Sequence, residues 1–454
     1  MLKEKTIAGI ATSVSISSIS VIRLSGPDSL SIASDIFGGV NNRPLSTIKP
    51  FTIRYGHIKD GEATIDEVLV SYFKGPKSYT GEEVVEISCH GGPLPVRKIL
   101  DLLIRKGAYL AEPGEFTKRA FLNGRIDLSQ AEAVMDIINS RTDAALRSAN
   151  EQSRGDLSGR ISNLRSILLN VMAEIEVTLD FPDDELERKS DLALANKLEA
   201  VRYEIEKLLS TAETGRIVRE GIKVVIAGKP NVGKSSLLNA LLNENRAIVT
   251  NIPGTTRDII EEFINIDGIP VRLVDTAGIR ETSDEVESIG VERSRRNIEE
   301  ADLVILVLDQ SRELSEEDLE LMELTNKLNR ITLINKQDLP TVAEIPEKVK
   351  DTATIISASN GFGLEEVRNR IRDMILKNMT SLSEVMITAS RHKEALIRCE
   401  ASLEESIAAI ENMTPMDLVT IDVNDAWQAL GEITGDTLRE DLVDKIFSGF
   451  CIGK

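Results

Sequence analysis

Cysteine is scarce. The 454 residues include three, Cys89, Cys399 and Cys451, too few and too scattered for a disulfide framework or a zinc site. A small stapled secreted fold is excluded, and a reducing cytoplasm fits. Histidine is as rare, with three in the chain, and His90 has no second histidine near it to suggest a metal, so a packing or turn role is expected there. No stretch of about 18 uncharged apolar residues occurs. The opening MLKEKTIAGIATSV lacks the sustained apolar run of a signal peptide. We expect no export, no membrane span and a cytoplasmic protein. Positive charge is in deficit, 54 Lys and Arg against 74 Asp and Glu, for a net charge of -20. A broad basic surface that coats nucleic acid is thereby excluded, because phosphate contacts need clustered Lys and Arg. Any RNA contact must be local or shared with a partner.

What is present is a long, well-mixed chain. With 41% hydrophobic and 28% charged residues it should fold throughout, and its length suggests about three domains. Residues 1–118 show short apolar runs such as EVLVSYF and EVVEISC, broken by Gly/Pro/Ser turns, the texture of an α+β domain. Residues 119–215 change to apolar spacings of three and four, predicting amphipathic helices. Ser129-Gln-Ala-Glu132 reads as a capping box opening the first long one. Residues 216–378 alternate short apolar strands (KVVIAG, VRLVDTAG, LVILVLD, ITLINK) with helical segments, predicting a parallel sheet with crossover helices. Helical texture returns over 379–454 and should pack with the helices of 119–215. The α/β domain is then an insertion in a discontinuous helical domain.

The inserted domain carries the chemistry. Gly228-Lys-Pro-Asn-Val-Gly233-Lys234-Ser235 follows an apolar strand and precedes a helical run, the context a P-loop requires. Its glycines let backbone amides wrap phosphates, Lys234 brings charge to the β/γ oxygens, and Ser235 offers a hydroxyl to Mg²⁺. Asp275-Thr276-Ala277-Gly278 ends a strand, where Asp275 can hold Mg²⁺ through water and the Gly278 amide can face the γ-phosphate. Between them Gly254-Thr255-Thr256-Arg257 lies in a polar loop, with Thr256 the natural second hydroxyl on the metal. Such a loop is ordered by the γ-phosphate and released on hydrolysis. Asn335-Lys336-Gln337-Asp338 ends a further strand, and a carboxylate there accepts from both N1–H and the 2-amino group of guanine. Adenine lacks that donor pair, so the site discriminates by leaving polar groups unpaired with the wrong base. Ser357-Ala358-Ser359 adds a backbone amide toward the base carbonyl. The motifs predict a GTPase.

One expected residue is missing. Many switch GTPases place a glutamine just after the DxxG glycine to orient the attacking water, and here that position is Ile279. The water must be held by another group, a metal ion or a partner. The acidic stretch Glu281 to Glu287 follows at once and supplies carboxylates, which are otherwise plain solvated loop charges.

Beyond these motifs, Ser78-Tyr-Thr-Gly-Glu-Glu-Val-Val-Glu86, Cys89-His-Gly-Gly92, the segments Pro113–Gly124 and Asp127–Ala133, and the terminal Phe450-Cys-Ile-Gly-Lys454 give the chain a close resemblance. Over essentially its whole length it resembles the tRNA uridine-modification GTPases of the MnmE (TrmE) family. The resemblance implies an N-terminal α+β folate-binding and dimerisation domain, a discontinuous helical domain and an inserted Ras-like P-loop α/β G domain. It implies a homodimer that joins a flavoprotein, MnmG (GidA), in a heterotetramer and adds a carboxymethylaminomethyl or aminomethyl group at C5 of the wobble uridine, U34, of certain tRNAs. It also implies stimulation by K⁺ held at Asn231, Thr250, Ile252 and Thr255, and a water-orienting role for Glu287. The GTP-contacting set then comprises Asn231, Val232, Gly233, Lys234, Ser235 and Ser236, followed by Thr250, Asn251, Ile252, Pro253, Gly254, Thr255 and Thr256. Asp275, Thr276, Ala277 and Gly278 complete it with Asn335, Lys336, Asp338, Ser357, Ala358 and Ser359. A pocket for 5-formyltetrahydrofolate or a related tetrahydrofolate falls on Arg23, Glu86, Arg125 and Lys454, cations and a carboxylate suited to a pterin edge and a glutamyl tail.

The chain departs from that pattern at Ser13–Ser20, where the family carries a Pro/Gly-rich loop, and at Arg125, where lysine is common. Cys451 is expected to be a small buried hydrophobe rather than a nucleophile. Glu316, Glu317, Asp318 and Glu320 read as a solvated, dipole-complementing helix start. Two other functions fit parts of the sequence: a ribosome-assembly switch resembling Era-type GTPases, and a folate-dependent one-carbon transferase. The first calls for a basic RNA-binding module that is not evident.

Overall fold

The computed structural model describes residues 5–13, 15–40, 43–180, 184–245, 261–275, 295–377, 385–450 and Gly453. The chain divides into two compact units, one built from Met1–Met135, Gln152–Asn170 and Trp427–Lys454 and the other from Asp136–Glu151 and Val171–Ala426. Each is built around its own sheet.

In the first unit the short apolar runs form a seven-stranded sheet in the order β3-β4-β5-β6-β2-β1-β7. The strands are β1 (Ile7–Ile10), β2 (Ile19–Ser25), β3 (Phe37–Gly39), β4 (Thr52–Asp60), β5 (Ala63–Phe73), β6 (Val84–His90) and β7 (Tyr109–Leu110). Neighbours run antiparallel except β1 and β7. Period-two alternation decides the faces. Ile22 and Leu24 of β2 and Val85, Ile87 and Cys89 of β6 enter one core, so the intervening Arg23 and Glu86 share the opposite face, directly across the ladder. Helix Pro93–Arg105 closes the core with Val96, Ile99, Leu102 and Leu103, all buried. Each such side chain contributes roughly 1.5–3 kcal/mol on leaving water.

The end of the chain returns to this unit. Val443, Phe447 and Phe450 bury against Leu128 and Ala131. Helix Glu115–Leu122 starts after Gly114, whose φ is +70° and whose added Cβ would meet the Phe447 carbonyl oxygen at 2.4 Å. Only glycine fits there. The helix Leu128–Asn139 is capped differently from expectation. The Asp127 carboxylate accepts from the Gln130 amide at 3.0 Å and the Gln130 side chain accepts from the Asp127 amide at 3.0 Å. Reciprocal capping is therefore Asp127–Gln130, two residues before the predicted Ser129–Glu132. Ser129 is buried inside the first turn, bonded to Asp127 and Ser158, and a side chain already spent inward cannot cap.

In the second unit a six-stranded sheet has the order β13-β12-β11-β8-β10-β9. Its strands are β8 (Ile222–Ala227), β9 (Glu261–Ile266), β10 (Ile269–Asp275), β11 (Leu303–Asp309), β12 (Arg330–Asn335) and β13 (Thr354–Ile355). All pairings are parallel except β9 with β10. That hairpin turns through Asp267 and Gly268, both at positive φ, as a two-residue Asp-Gly loop requires. β11 is buried at every position and β8 at nearly every one, which is why they read as continuous apolar runs. Helix Asp184–Leu209 packs along helix Ser390–Glu411, so segments before and after the sheet meet. Because β8, β10, β11, β12 and β13 run the same way, residues 228–235, 275, 335–338 and 357–359 all leave the sheet at its carboxyl edge, where open α/β sheets bind ligands. Among the described residues no helix is long and apolar enough to cross a membrane.

Candidate functional site

β8 ends at Ala227, and helix Lys234–Asn245 begins after a six-residue turn. Two glycines make the turn possible. Gly228 has φ +150°, and a Cβ there would meet the Val307 carbonyl oxygen at 2.6 Å; Gly233 has φ +101°, and a Cβ would meet Asn335 Nδ2 at 2.3 Å. Asn231 between them is left-handed at φ +66°, a conformation asparagine tolerates better than most. Lys234 is buried, and its ammonium donates to the carbonyls of Gly228 (2.5 Å) and Lys229 (2.8 Å). The loop thus curls around a desolvated cation at a helix N-terminus, whose free amides and dipole favour an anion.

Two neighbouring loops are stitched to it by one side chain. Asn335, 2% exposed, donates from Nδ2 to the Val232 carbonyl at 2.7 Å and accepts the Ala358 amide on Oδ1 at 3.0 Å. Lys336 takes φ +68° and reaches Asp309 at 2.6 Å. Burial pushes the Asp309 carboxyl up, but Lys336 and the hydroxyl and amide of Ser311 together bring it below its ordinary value. Asp338 accepts the Ser357 hydroxyl on Oδ1 at 2.6 Å, and Ser357 in turn pairs with Ser359 at 2.9 Å. That bond, foremost, holds the Asp338 carboxyl below its usual range. It stays an ionised acceptor, as the N1–H and 2-amino donors of guanine require.

The predicted residues Thr250, Asn251, Ile252, Pro253, Gly254, Thr255 and Thr256, then Thr276, Ala277, Gly278, Ile279 and Glu287, and also Cys451 and Lys454, lie outside the described residues, as does the side chain of Asp275.

A second cluster forms on the first unit, where Arg23, Glu86 and Arg125 come together around Tyr79. Arg23 pairs with Glu86 at 2.8 Å and lies over the Tyr79 ring at 4.8 Å, while Arg125 lies over the same ring at 5.1 Å. Arg125 also donates to the Tyr79 carbonyl at 2.6 Å. Beside them opens a cavity of about 510 Å³ lined by Phe73, Pro76, Lys77, Ser78, Tyr79, Val84, Glu86 and Arg125. Its mix of aromatic walls, one carboxylate and cations suits a flat polar heterocycle with an anionic tail. Arg23 does not line the cavity itself; its Nη1 is buried with no hydrogen-bond partner behind Glu86 and Tyr79. The serine-rich loop does not strain the site. None of its described residues is at positive φ, and Ser17 and Ser18 exchange backbone hydrogen bonds with Gly91.

Several side chains act otherwise than their type suggested. Asp318 is not a solvated helix-start charge: it is 2% exposed and pairs with Lys229 at 2.5 Å. His90 is exposed at the end of β6, and its ring and amide are both held by Asp66 of β5, at 2.7 and 2.8 Å, a strand-to-strand contact in place of the expected packing or turn role; the hydrogen bond and charge of Asp66 raise its pKa. Cys89 is buried, and burial pushes its thiol up to about 11. Among the described residues no group of His, Cys, Asp and Glu could hold a metal ion. Asp309, Gln310 and Tyr79 escaped sequence reading. Gln310 donates to the carbonyls of Lys336 and Leu339 at 3.2 Å, and its only signal was its place just past the end of β11.

Residues 128–451 match the family model for the MnmE helical domain and residues 6–125 that for the GTP-binding protein TrmE N-terminus. Proteins called tRNA modification GTPase MnmE share 49% identity over 459 residues in Clostridioides difficile (strain 630) and 52% over 462 in Alkaliphilus metalliredigens (strain QYMF), covering 100% of both chains in each case. The corresponding Alkaliphilus oremlandii (strain OhILAs) protein is 50% identical over 461 residues, again at 100% of both chains. Among solved structures, Aquifex aeolicus Era Y63A bound to GDP·AlF4⁻ is 30% identical over 40% of this chain and 66% of its own, at a TM-score of 0.27.

Proposed function

This chain belongs to the MnmE (TrmE) family of tRNA modification GTPases; from that premise we propose which residues hydrolyse GTP and what the hydrolysis serves. GTP places its β/γ-phosphates on residues 231–236, with Lys234 supplying charge and backbone amides wrapping the oxygens. Guanine is read by Asp338, oriented by Ser357, with the Ala358 region closing the pocket; Lys336 and Asn335 hold the frame. Residues 250–256 and 275–278 are assigned to the γ-phosphate and its metal by their motifs. Mg²⁺ would be held by Ser235 and Thr256 and would neutralise phosphate charge. K⁺ would be held by Asn231, Thr250, Ile252 and Thr255 and would supply the charge an arginine finger brings elsewhere. Glu287 orients the attacking water in place of the glutamine that Ile279 replaces, and the products are GDP and phosphate.

The observation that carries this reading is the stitching by Asn335 of the Val232 carbonyl to the Ala358 amide, which unites phosphate, base and closing loops in one site. The cavity at Glu86 and Arg125 supports a pocket for 5-formyltetrahydrofolate or a related tetrahydrofolate, completed by Arg23 and Lys454. The domains are then 1–118 for folate and dimerisation, 119–215 with 379–454 for the helical domain, and 216–378 for GTP. In the cytoplasm the homodimer works with the flavoprotein MnmG (GidA), adding a carboxymethylaminomethyl or aminomethyl group at C5 of U34 in certain tRNAs.

Mass spectrometry of wobble nucleosides tests this. A strain deleted for the chain should lose the C5 modification, regain it with the wild-type chain, and fail to regain it with Lys234→Ala. Unaltered C5 modification in the deletion strain overturns the reading.

A further inference from the structure

Asp318 opens helix Glu316–Leu324 behind Ser315 and is almost wholly buried, with 3% of its side chain exposed. A carboxylate out of water must be paired. Its Oδ2 accepts the Ser315 amide at 2.9 Å and the Ser315 hydroxyl at 3.2 Å, capping the helix. The same oxygen takes Lys229 Nζ at 2.5 Å, and Lys229 also donates to the Ser315 hydroxyl at 2.8 Å. Lys229 is the first residue of the phosphate loop after Gly228. Its own carbonyl and that of Gly228 both accept from the Lys234 ammonium. From β11 the close approach of Gly228 to the Val307 carbonyl fixes one side of this peptide; the Lys229–Asp318 pair fixes the other.

We propose that Asp318, acting through Lys229, is a positioning residue for nucleotide binding: it anchors the 228–229 peptide so that its carbonyls aim Lys234 at the nucleotide phosphates. The helix cap thus has a second task, because one buried carboxylate terminates a helix and tethers the loop beside it. The proposal rests on the assignment of residues 231–236 to the phosphates made above. It adds a residue outside the P-loop motif that sets the affinity of that motif.

The full-length protein with Mg²⁺ and N-methylanthraniloyl-GDP tests it. Asp318→Asn keeps an acceptor for the Ser315 amide and removes the charge; Lys229→Met removes the other partner. Each should weaken binding about tenfold, within the range of coupling between contacting residues. Each should raise the KM for GTP by a similar factor with kcat changed less than about twofold, since the anchor acts before chemistry. The double variant should bind no more weakly than either single one. Wild-type affinity in both single variants overturns the proposal, as do losses that simply add in the double variant. Lys234→Ala separates the two levels. If it binds nucleotide like the wild type, the P-loop assignment fails; if it loses binding while Asp318→Asn and Lys229→Met keep it, only the anchor fails.

Discussion

In the proposed site Asp338 has two demands to meet, accepting from the Ser357 hydroxyl on one oxygen while offering an ionised carboxylate to the base. Guanine presents two donors to it, whereas xanthine carries a carbonyl in place of the 2-amino group. Asp338→Asn supplies an amide that can donate to that carbonyl and can no longer accept from both guanine donors. It should cost at least about a hundredfold in GTP affinity, because the two guanine donors lose their acceptor where the bound base excludes water, and restore turnover with XTP. Competition assays with both nucleotides check this; unchanged GTP preference would show that Asp338 does not read the base. The NKxD pattern was legible because each residue type is dictated by the chemistry. The Ser357 bond and the Lys336–Asp309 pair were not, since 19 and 27 residues separate the partners and only the sheet brings them together.

Strands were the most readable elements. β8 and β11 lie inside a parallel sheet and must be apolar on both faces, so their runs announce them. Helix starts were less so, because Ser/Thr/Asp/Asn followed three residues later by Glu/Gln occurs in overlapping registers. Asp127-Leu-Ser-Gln130 and Ser129-Gln-Ala-Glu132 both fit, and the burial of Ser129 against Ser158 selects the first. Asp127→Ala should therefore lower the stability of the first turn by about 1 kcal/mol, and Asp127→Ser should retain most of it. Hydrogen exchange at the amides of residues 129 and 130 measures this, and unchanged protection in Asp127→Ala would return the cap to Ser129. Asp318 reads in sequence as a dipole-favoured acid, whereas in the fold the oxygen that caps the helix also takes a lysine.

At the scale of the molecule, a net charge of -20 leaves no general affinity for RNA, so tRNA engagement has to be local or shared with a partner. The proposed hydrolysis is likewise shared, between the chain and a monovalent cation. GTP turnover should be at least about tenfold faster in K⁺ than in Na⁺, a rate difference near 1.4 kcal/mol, and should collapse with Glu287→Ala. Equal rates in the two salts would remove the cation from the site.

Sequence by itself determined the nucleotide chemistry, because each motif is a short run in which backbone freedom, charge and donor pattern are set by neighbouring residues. Gly228, Gly233, Lys234 and Asp338 needed no fold to be read. Only tertiary structure decided which distant groups meet: Asn335 bridging Val232 to Ala358, Arg23 facing Glu86 across a ladder beside the 510 Å³ cavity, and Lys229 resting on Asp318. The reason is that a charged side chain reads the same on a surface or in a core. Burial, which makes a partner obligatory, is a property of the packed molecule alone.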